Sequence, residues 1–250
     1  MKTLYLDCSM GASGDMLLGA LLELHPDPSG FLARLGALGI PGVTVSARPD
    51  EKRGVLGTHA EVRVHGEEEE HAHAHGEHHH HHHTQLADIT GLLGRLPLPE
   101  AARADALAVY GLLAGAEAKA HDRPVELVHF HEVGELDAVA DIAGACLLLA
   151  ELAPEKILAS PVAVGGGTVL CAHGELPVPA PATAALLEGV PTVADTERGE
   201  LCTPTGAALL RHFVTAFGPK PPMTDERAGV GTGTRDFERP NCLRAYLGEA

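Results

Sequence analysis

The stretch TLYLDCSMGASGDMLLGALLEL, residues 3–24, contains the signals of a strand, a glycine-rich turn and a helix in direct succession. TLYLDC alternates and is rich in strand formers, SMGASGD supplies turn residues, and MLLGALLEL is an apolar helical segment. Strand-like and helix-like segments continue to alternate along the rest of the chain. This alternation predicts an α/β fold, with a mixed sheet sandwiched with helices.

The remaining elements are predicted from periodicity and from glycine and proline positions. Residues 43–65 read as two strands around a polar turn, and residues 228–248 as a glycine-rich turn followed by a closing strand. Single strands are predicted at 125–133 and 157–165. Helices are predicted at 30–38, 86–96, 100–121, 136–152, 179–189 and 203–217, the last with Thr203 as N-cap and Pro204 in its first turn.

Composition and charge exclude several classes of protein. The formal net charge is −16, so the surface should repel nucleic acid and anionic membranes and suit cations. Aromatic residues make up only 3%, and no apolar run is long enough to span a membrane. The five cysteines are an odd number at scattered spacings, which indicates free thiols in a reducing compartment. We therefore expect a cytoplasmic protein without a nucleic-acid or membrane partner.

The stretch GEEEEHAHAHGEHHHHHHT, residues 66–84, is rich in histidine and glutamate. A cloning tag or a merely solvated loop are alternatives, although tags usually sit at a terminus. Imidazoles bind nickel, zinc and copper well, and many overlapping ligand sets favour collecting a metal over one rigid site. Its low apolar content predicts a disordered loop inserted at 65–84 into a single domain of residues 1–250. The proposed ligands are His71, His73, His75, His78, His79, His80, His81, His82 and His83.

The turn DCSMGASGDM, residues 7–16, resembles an anion-binding layout because it lies between a strand and a helix start. It fits neither the Walker nor the dinucleotide-binding glycine pattern. The candidate binding residues here are Asp7, Ser13 and Asp15. The two aspartates would repel a bare phosphate but could hold it through Mg²⁺ or Mn²⁺. The alternative is that Ser13 and Asp15 only cap the helix.

A second candidate site is VHFHEVGELDAVADI, residues 128–142. On a strand the two histidines share one face, and the two aspartates are an i,i+4 pair on the helix that follows. Imidazoles and carboxylates converging from adjacent elements suit a transition metal, although a polar strand edge and an acidic helix start would give the same pattern. The metal-ligand candidates are His129, His131, Asp137 and Asp141.

Two further segments carry candidate groups. In CAHGELPVPAPAT, residues 171–183, a histidine precedes a flexible glycine and a stiff proline-rich run. CTPTGAALL, residues 202–210, offers the free amides of a helix start to an anion, to which arginines of the following GVGTGTRDFERP could add bidentate contacts. A capped helix and a surface hairpin are the alternative. The candidates are His173, Thr203, Thr205, Arg235 and Arg239.

Together these motifs resemble the LarC family of nickel-insertion proteins, which complete the nickel-pincer cofactor of lactate racemase. The match runs in order from residue 5 to residue 249. The motifs are LYLDCSMGASGDMLLGALLEL, VHFHEVGELDAVADI, HGELPVPAPATAALLEGVP, LCTPTGAALL and GVGTGTRDFERPNCLRAYLGE.

The resemblance implies a substrate and a reaction. The substrate would be pyridinium-3,5-bisthiocarboxylic acid mononucleotide, and Ni²⁺ would be inserted between its two sulfurs with a nickel–carbon bond, a cyclometallase-type lyase or chelatase activity. Because that bond displaces a ring proton, a general base is needed, and His173 or Glu132 could serve.

Family members use cytidine triphosphate with a divalent cation, and longer members continue into a C-terminal domain to which nucleotide binding is attributed. Since this sequence stops at Ala250, we expect that domain to be absent and nucleotide use to need a separate C-terminal half. A non-catalytic nickel storage protein or chaperone and a metal-dependent phosphohydrolase remain alternatives, and the oligomeric state and native metal stay open.

Overall fold

The computed structural model describes residues 1–68, 84–130, 136–171 and 174–250 of the chain. Its strands alternate with helices, as the sequence predicts. The strands are β1 (Lys2–Asp7), β2 (Val43–Lys52), β3 (Val55–Val64), β4 (Glu67–Glu68), β5 (Thr84–Gln85), β6 (His129–Phe130), β7 (Lys156–Ala159), β8 (Val162–Gly166), β9 (Thr168–Cys171), β10 (Gly174–Pro177), β11 (Thr192–Glu200), β12 (Ala216–Phe217), β13 (Thr224–Thr232) and β14 (Cys242–Glu249).

An eight-stranded mixed sheet forms the framework, in the order β12-β7-β1-β14-β13-β3-β2 with β4 paired to β3. β1 runs antiparallel to β14, with Tyr5 opposite Tyr246, and parallel to β7. β13 runs antiparallel to β14 and parallel to β3. Three two-stranded pairs complete the strands: β9 with β10, β8 with β11, and β5 with β6. The predicted α/β class with a mixed sheet is confirmed.

Helices cover the sheet face that carries Leu4, Leu6 and Leu243, and these side chains belong to one large apolar core. The first helix of the chain contacts the fifth helix and also lies on β13. The fifth helix touches β3 as well, and the long fourth helix packs on the fifth. The helices are α1 (Gly14–Leu24), α2 (Pro28–Gly36), α3 (Leu86–Arg95), α4 (Glu100–His121), α5 (Leu136–Leu152), α6 (Pro181–Leu186) and α7 (Pro204–Phe213). None of the helices in these described ranges is long and apolar enough to cross a membrane.

The glycine-rich segment before the last strand is part of β13 as far as Thr232, so its prediction as a turn is wrong for residues 228–232, whereas 233–241 do form a loop. Its glycines serve close packing of β13 against α1. A Cβ atom on Gly231 would lie 1.8 Å from the carbonyl oxygen of Met16, and one on Gly229 would lie 2.3 Å from that of Ala20. Only residues without side chains allow the helix backbone to approach the strand this closely.

Three other predicted elements have different limits in the structure. The strand predicted at 157–165 is two strands, β7 and β8, which belong to different sheets and are separated by Ser160 and Pro161. The strand predicted at 125–133 begins as a 3₁₀ turn at Val125–Leu127, with β6 after it. The last predicted helix ends at Phe213, and β12 follows.

Candidate functional site

The glycine-rich turn after β1 is fixed against the start of α7. The amide of Ala12 donates to the carbonyl oxygen of Leu201 at 3.1 Å, and the amide of Thr203 donates to that of Ala12 at 3.0 Å. Gly206 is needed for this contact, because a Cβ atom there would lie 2.1 Å from the oxygen of Ala12. The starts of α1 and α7, which are far apart in sequence, therefore lie side by side.

The two helix starts are capped differently. Thr203 caps α7 as predicted: its hydroxyl accepts from the amide of Gly206 at 3.2 Å, and Pro204 occupies the first turn. Ser13 occupies the N-cap position of α1 but makes no side-chain capping bond. Its hydroxyl donates to the carboxylate of Asp15 instead, so Ser13 orients a charged group rather than a helix amide.

A group of carboxylates lies where α1 meets the first two turns of α5. The Asp141 carboxylate lies against Gly14, since a Cβ atom on Gly14 would be 2.4 Å from Oδ2 of Asp141. Burial raises the pKa of Asp141 well above its ordinary value, and the negative charges of Asp15 and Asp137 raise it further. The structure therefore brings together three of the predicted aspartates.

The carboxylates of Asp137 and Asp141 are incompletely satisfied. Both residues are partly exposed, but the Oδ1 atom of each is buried without a hydrogen-bond partner in the part of the chain that the structure describes. Buried polar atoms normally have partners, and exceptions are concentrated where a ligand or ion is expected. These two oxygens are therefore the polar atoms of the predicted metal site that the described structure leaves without a partner.

Tyr110 of α4 is a member of this site that the sequence did not reveal. Its side chain is fully buried and its hydroxyl lacks a hydrogen-bond partner among the described residues. Burial raises the pKa of its phenol well above the ordinary value, and the charges of Asp137 and Asp141 add to the effect. Within an apolar helix a tyrosine is read as core, so no spacing signal could have identified it.

The backbone of His129 lies in the same region. It pairs with Gln85 of β5, the strand at which the described chain resumes after the His-rich stretch. The neighbouring Phe130 packs edge-on against the Tyr110 ring, with 6.1 Å between ring centroids. His131, Glu132, His173 and the nine predicted ligands from His71 to His83 lie outside the described residues.

Asp7 and Asp15 have separate partners, although both were predicted beside one cation. Asp7 accepts from the amide of Ser9 at 3.1 Å and lies 4.0 Å from the guanidinium of Arg244. Asp15 accepts from Ser13 and also from the hydroxyl of Thr234, at 3.3 Å. Asp15 thus faces the loop after β13, whereas Asp7 is paired with a cationic side chain of β14.

The loop that carries the two predicted arginines is held by buried polar side chains. Glu197, only 7% exposed, accepts from the amides of Glu238 and Arg239 at 3.1 and 2.9 Å. The guanidinium of Arg239 also lies 3.4 Å from Glu197, and the Asn241 side chain donates to the carbonyl oxygen of Arg235 at 2.9 Å. Glu197 and Asn241 were not predicted as site residues.

Across the described ranges, no set of three or more histidine, cysteine, aspartate or glutamate side chains is arranged to hold a metal ion. Asp137 and Asp141 therefore do not form a complete metal site with other described side chains. All five cysteines are free, as predicted, and four of them are buried. Burial raises the pKa of Cys202 to about 12, so this thiol stays protonated and is a poor metal ligand at neutral pH.

Fold and site together define an α/β protein with an incompletely satisfied acidic site beside two paired helix starts. A family model described as nickel insertion protein matches residues 4–250, and the chain belongs to this family.

Curated relatives match the whole chain. A protein of Desulfitobacterium hafniense strain DSM 10664 / DCB-2, named pyridinium-3,5-bisthiocarboxylic acid mononucleotide nickel insertion protein, is 43% identical over 100% of this chain and 59% of its own length. One of Geobacillus kaustophilus with the same name is 41% identical over 100% of this chain and 60% of its own length. A putative nickel insertion protein of Dictyoglomus thermophilum is 38% identical, again over 100% of this chain and 61% of its own length. The chain thus spans about three-fifths of these relatives, and no solved structure matches it.

Proposed function

We propose that this chain takes part in inserting nickel into pyridinium-3,5-bisthiocarboxylic acid mononucleotide. The observation that carries the proposal is the match over the whole chain, at 43% identity, to a relative named for that reaction. The incompletely satisfied acidic site gives such a reaction a place for a divalent cation. The activity would be that of a nickel chelatase of the cyclometallase-type lyase class.

Nickel, the metal substrate, would bind to Asp137 and Asp141 together with His129 and His131. The two aspartates have buried oxygens without a partner among the described residues, and β6 brings the backbone of His129 to the same region. Mixed imidazole and carboxylate ligands suit Ni²⁺, and removing water from carboxylates is compensated when a cation binds them.

The His-rich stretch would collect nickel for this site. Its nine histidines from residue 71 to residue 83 supply many overlapping ligand sets. The described chain resumes at β5, which pairs with β6 and so with His129. This pairing gives the collected metal a short path to the proposed site.

The mononucleotide phosphate or carboxylates would bind at the start of α7 and at the arginine loop. The positive end of the α7 dipole attracts an anion, although Pro204 has no N–H and the amide of Gly206 is bonded to the Thr203 hydroxyl. Thr203, Thr205, Arg235 and Arg239 are the proposed contacts. Because Asp7 is paired with Arg244, Asp15 is the stronger candidate for a carboxylate beside an accompanying Mg²⁺ or Mn²⁺.

Forming the nickel–carbon bond breaks a ring carbon–hydrogen bond, and the proton passes to a base. His173 or Glu132 would accept it, a proposal that rests on the sequence alone. We also propose that residues 1–250 act as one domain with a metal-collecting insertion at 65–84, located in the cytoplasm. Use of cytidine triphosphate would involve the part of the longer relatives that this chain does not match, for example as a separate C-terminal half.

The test is to incubate the purified chain with NiCl₂ and the thiocarboxylated mononucleotide, with and without cytidine triphosphate and Mg²⁺. Appearance of the nickelated cofactor, lost in the Asp137→Asn, Asp141→Asn double variant, supports the proposal. Nickel binding without mononucleotide binding would indicate a storage protein or chaperone instead. Release of phosphate without nickel would indicate a phosphohydrolase. Addition of the C-terminal part of a longer relative tests where nucleotide use resides.

A further inference from the structure

Three buried oxygen atoms on α4 and α5 have no hydrogen-bond partner in the described part of the chain. They are the hydroxyl of Tyr110 and the Oδ1 atoms of Asp137 and Asp141. The helix α4, which carries Tyr110, packs on α5, which carries both aspartates, and the charges of the two aspartates raise the pKa of the phenol. A donor and two acceptors are therefore buried on two helices that pack together, and no hydrogen bond joins them in the described structure.

The Tyr110 hydroxyl does not serve the packing of the core. The ring is fully buried and packs edge-on against Phe130, a contact that a phenylalanine would make equally well. A buried hydroxyl without a partner destabilises the fold, because it loses its hydrogen bonds to water and gains none in the protein. The metal-free protein would thus be as stable or more stable without this oxygen, which points to a role in a bound state.

We propose that Tyr110 is a positioning residue for nickel: its hydroxyl donates to a carboxylate oxygen of Asp137 or Asp141 and so orients that carboxylate towards the metal. The proposal rests on the proposed function, in which these two aspartates bind nickel. A protonated phenol has one O–H to donate, and a metal-bound carboxylate has a second oxygen to accept it. Removing such an outer partner typically lowers metal affinity by about 10- to 100-fold.

The test compares Tyr110→Phe with the unchanged full-length chain. One readout is the rise in melting temperature caused by saturating NiCl₂. This rise reports sites formed only in the folded protein, because the His-rich stretch can bind nickel when folded or unfolded. The other is the nickel affinity by calorimetry in a full-length background with the nine histidines of 71–83 replaced by serine.

The expected result is a Tyr110→Phe variant that melts at the same or a higher temperature without metal and binds nickel about 10- to 100-fold more weakly. Unchanged nickel affinity overturns the proposal. A large loss of metal-free stability also overturns it, since the hydroxyl would then have a structural partner. The matched control is Tyr5→Phe, which removes a hydroxyl that donates to the oxygen of Gly218 at 3.2 Å, and it should leave nickel affinity unchanged.

The Asp137→Asn, Asp141→Asn double variant separates this inference from the proposed function. If it loses nickel binding while Tyr110→Phe retains full affinity, only the role of Tyr110 is wrong. If the double variant binds nickel normally at the folded site, the proposed nickel ligands are wrong as well.

Discussion

A Cβ atom on Gly14 would lie 2.4 Å from Oδ2 of Asp141. Gly14 begins α1, and Asp141 lies in the second turn of α5. The missing side chain lets the carboxylate approach the start of α1. This contact joins two segments that are more than a hundred residues apart in sequence.

Replacing Gly14 with alanine should therefore destabilise the protein. Alanine elsewhere in a helix gains about 0.5–1 kcal/mol over glycine, but here its Cβ would collide with the carboxylate. Asp141 would have to move, and nickel affinity should fall with it. Urea unfolding and nickel calorimetry measure the two effects.

The control is Gly111→Ala in α4, where an added Cβ would meet no atom within 4 Å. That variant should be stabilised by up to about 1 kcal/mol and bind nickel normally. Equal effects of the two substitutions would contradict a special contact at Gly14.

The raised pKa of Asp141 predicts how stability depends on pH. The folded state holds this proton more tightly than the unfolded state, whose carboxyl titrates near pH 4. The contribution of Asp141 is therefore fully favourable below about pH 4 and is lost as pH rises towards the raised folded pKa.

Asparagine at 141 cannot lose a proton, so the Asp141→Asn variant should lack this pH-dependent contribution to stability. In chelator-treated protein, its stability relative to the unchanged chain should increase from pH 4 towards neutral pH. Denaturant titrations at several pH values measure the difference. Parallel pH profiles for the two proteins would show that Asp141 ionises freely in the folded state.

Replacing Glu197 with glutamine should loosen the arginine loop. The amide group of glutamine would place a donor against the N–H of Glu238 or Arg239, where the carboxylate now accepts from both. One such buried mismatch costs about 1–3 kcal/mol. Binding of the mononucleotide should weaken while nickel affinity is retained.

Glu238→Gln is the control for the loop, because the side chain of Glu238 is exposed. Its stability should change by less than about 0.5 kcal/mol. Equal mononucleotide affinity in the Glu197→Gln variant and in the unchanged chain would show that the loop does not depend on Glu197.

Replacing the nine histidines of 71–83 with serine should lower the number of nickel ions bound several-fold. The stretch is polar and charged, with almost no apolar group to bury, so the melting temperature should stay within a few degrees. Equilibrium dialysis with metal analysis gives the stoichiometry, and calorimetry gives the melting temperature. A large drop in melting temperature would assign the stretch a structural role.

Most of the helices and the first three long strands follow from periodicity in the sequence. The strand at Thr224–Thr232 does not, because its Gly229 and Gly231 give the same local signal as a turn. Glycine is needed at both positions because the backbone of α1, more than two hundred residues away in sequence, packs directly against them. Glycine that allows a close contact cannot be distinguished from glycine that allows a turn without knowing the packing.

Members of the candidate site could be predicted where the residue type alone indicates the chemistry. Asp15, Asp137 and Asp141 could be named from their acidity and position, and the structure places them together. Tyr110 and Glu197 could not be named, because their roles depend on which oxygen lacks a partner or which amides it accepts. Such relationships arise only when distant segments pack.

The close packing of β13 on α1 has a thermodynamic consequence. Thr234, two residues beyond β13, donates to Asp15 of α1, so the proposed anion, if it displaced the arginine loop on binding, would also break this hydrogen bond to a carboxylate of the acidic site. Occupancy at the loop and occupancy at the carboxylates are then linked. If the bound anion changes the affinity for the cation by some factor, the bound cation must change the affinity for the anion by the same factor.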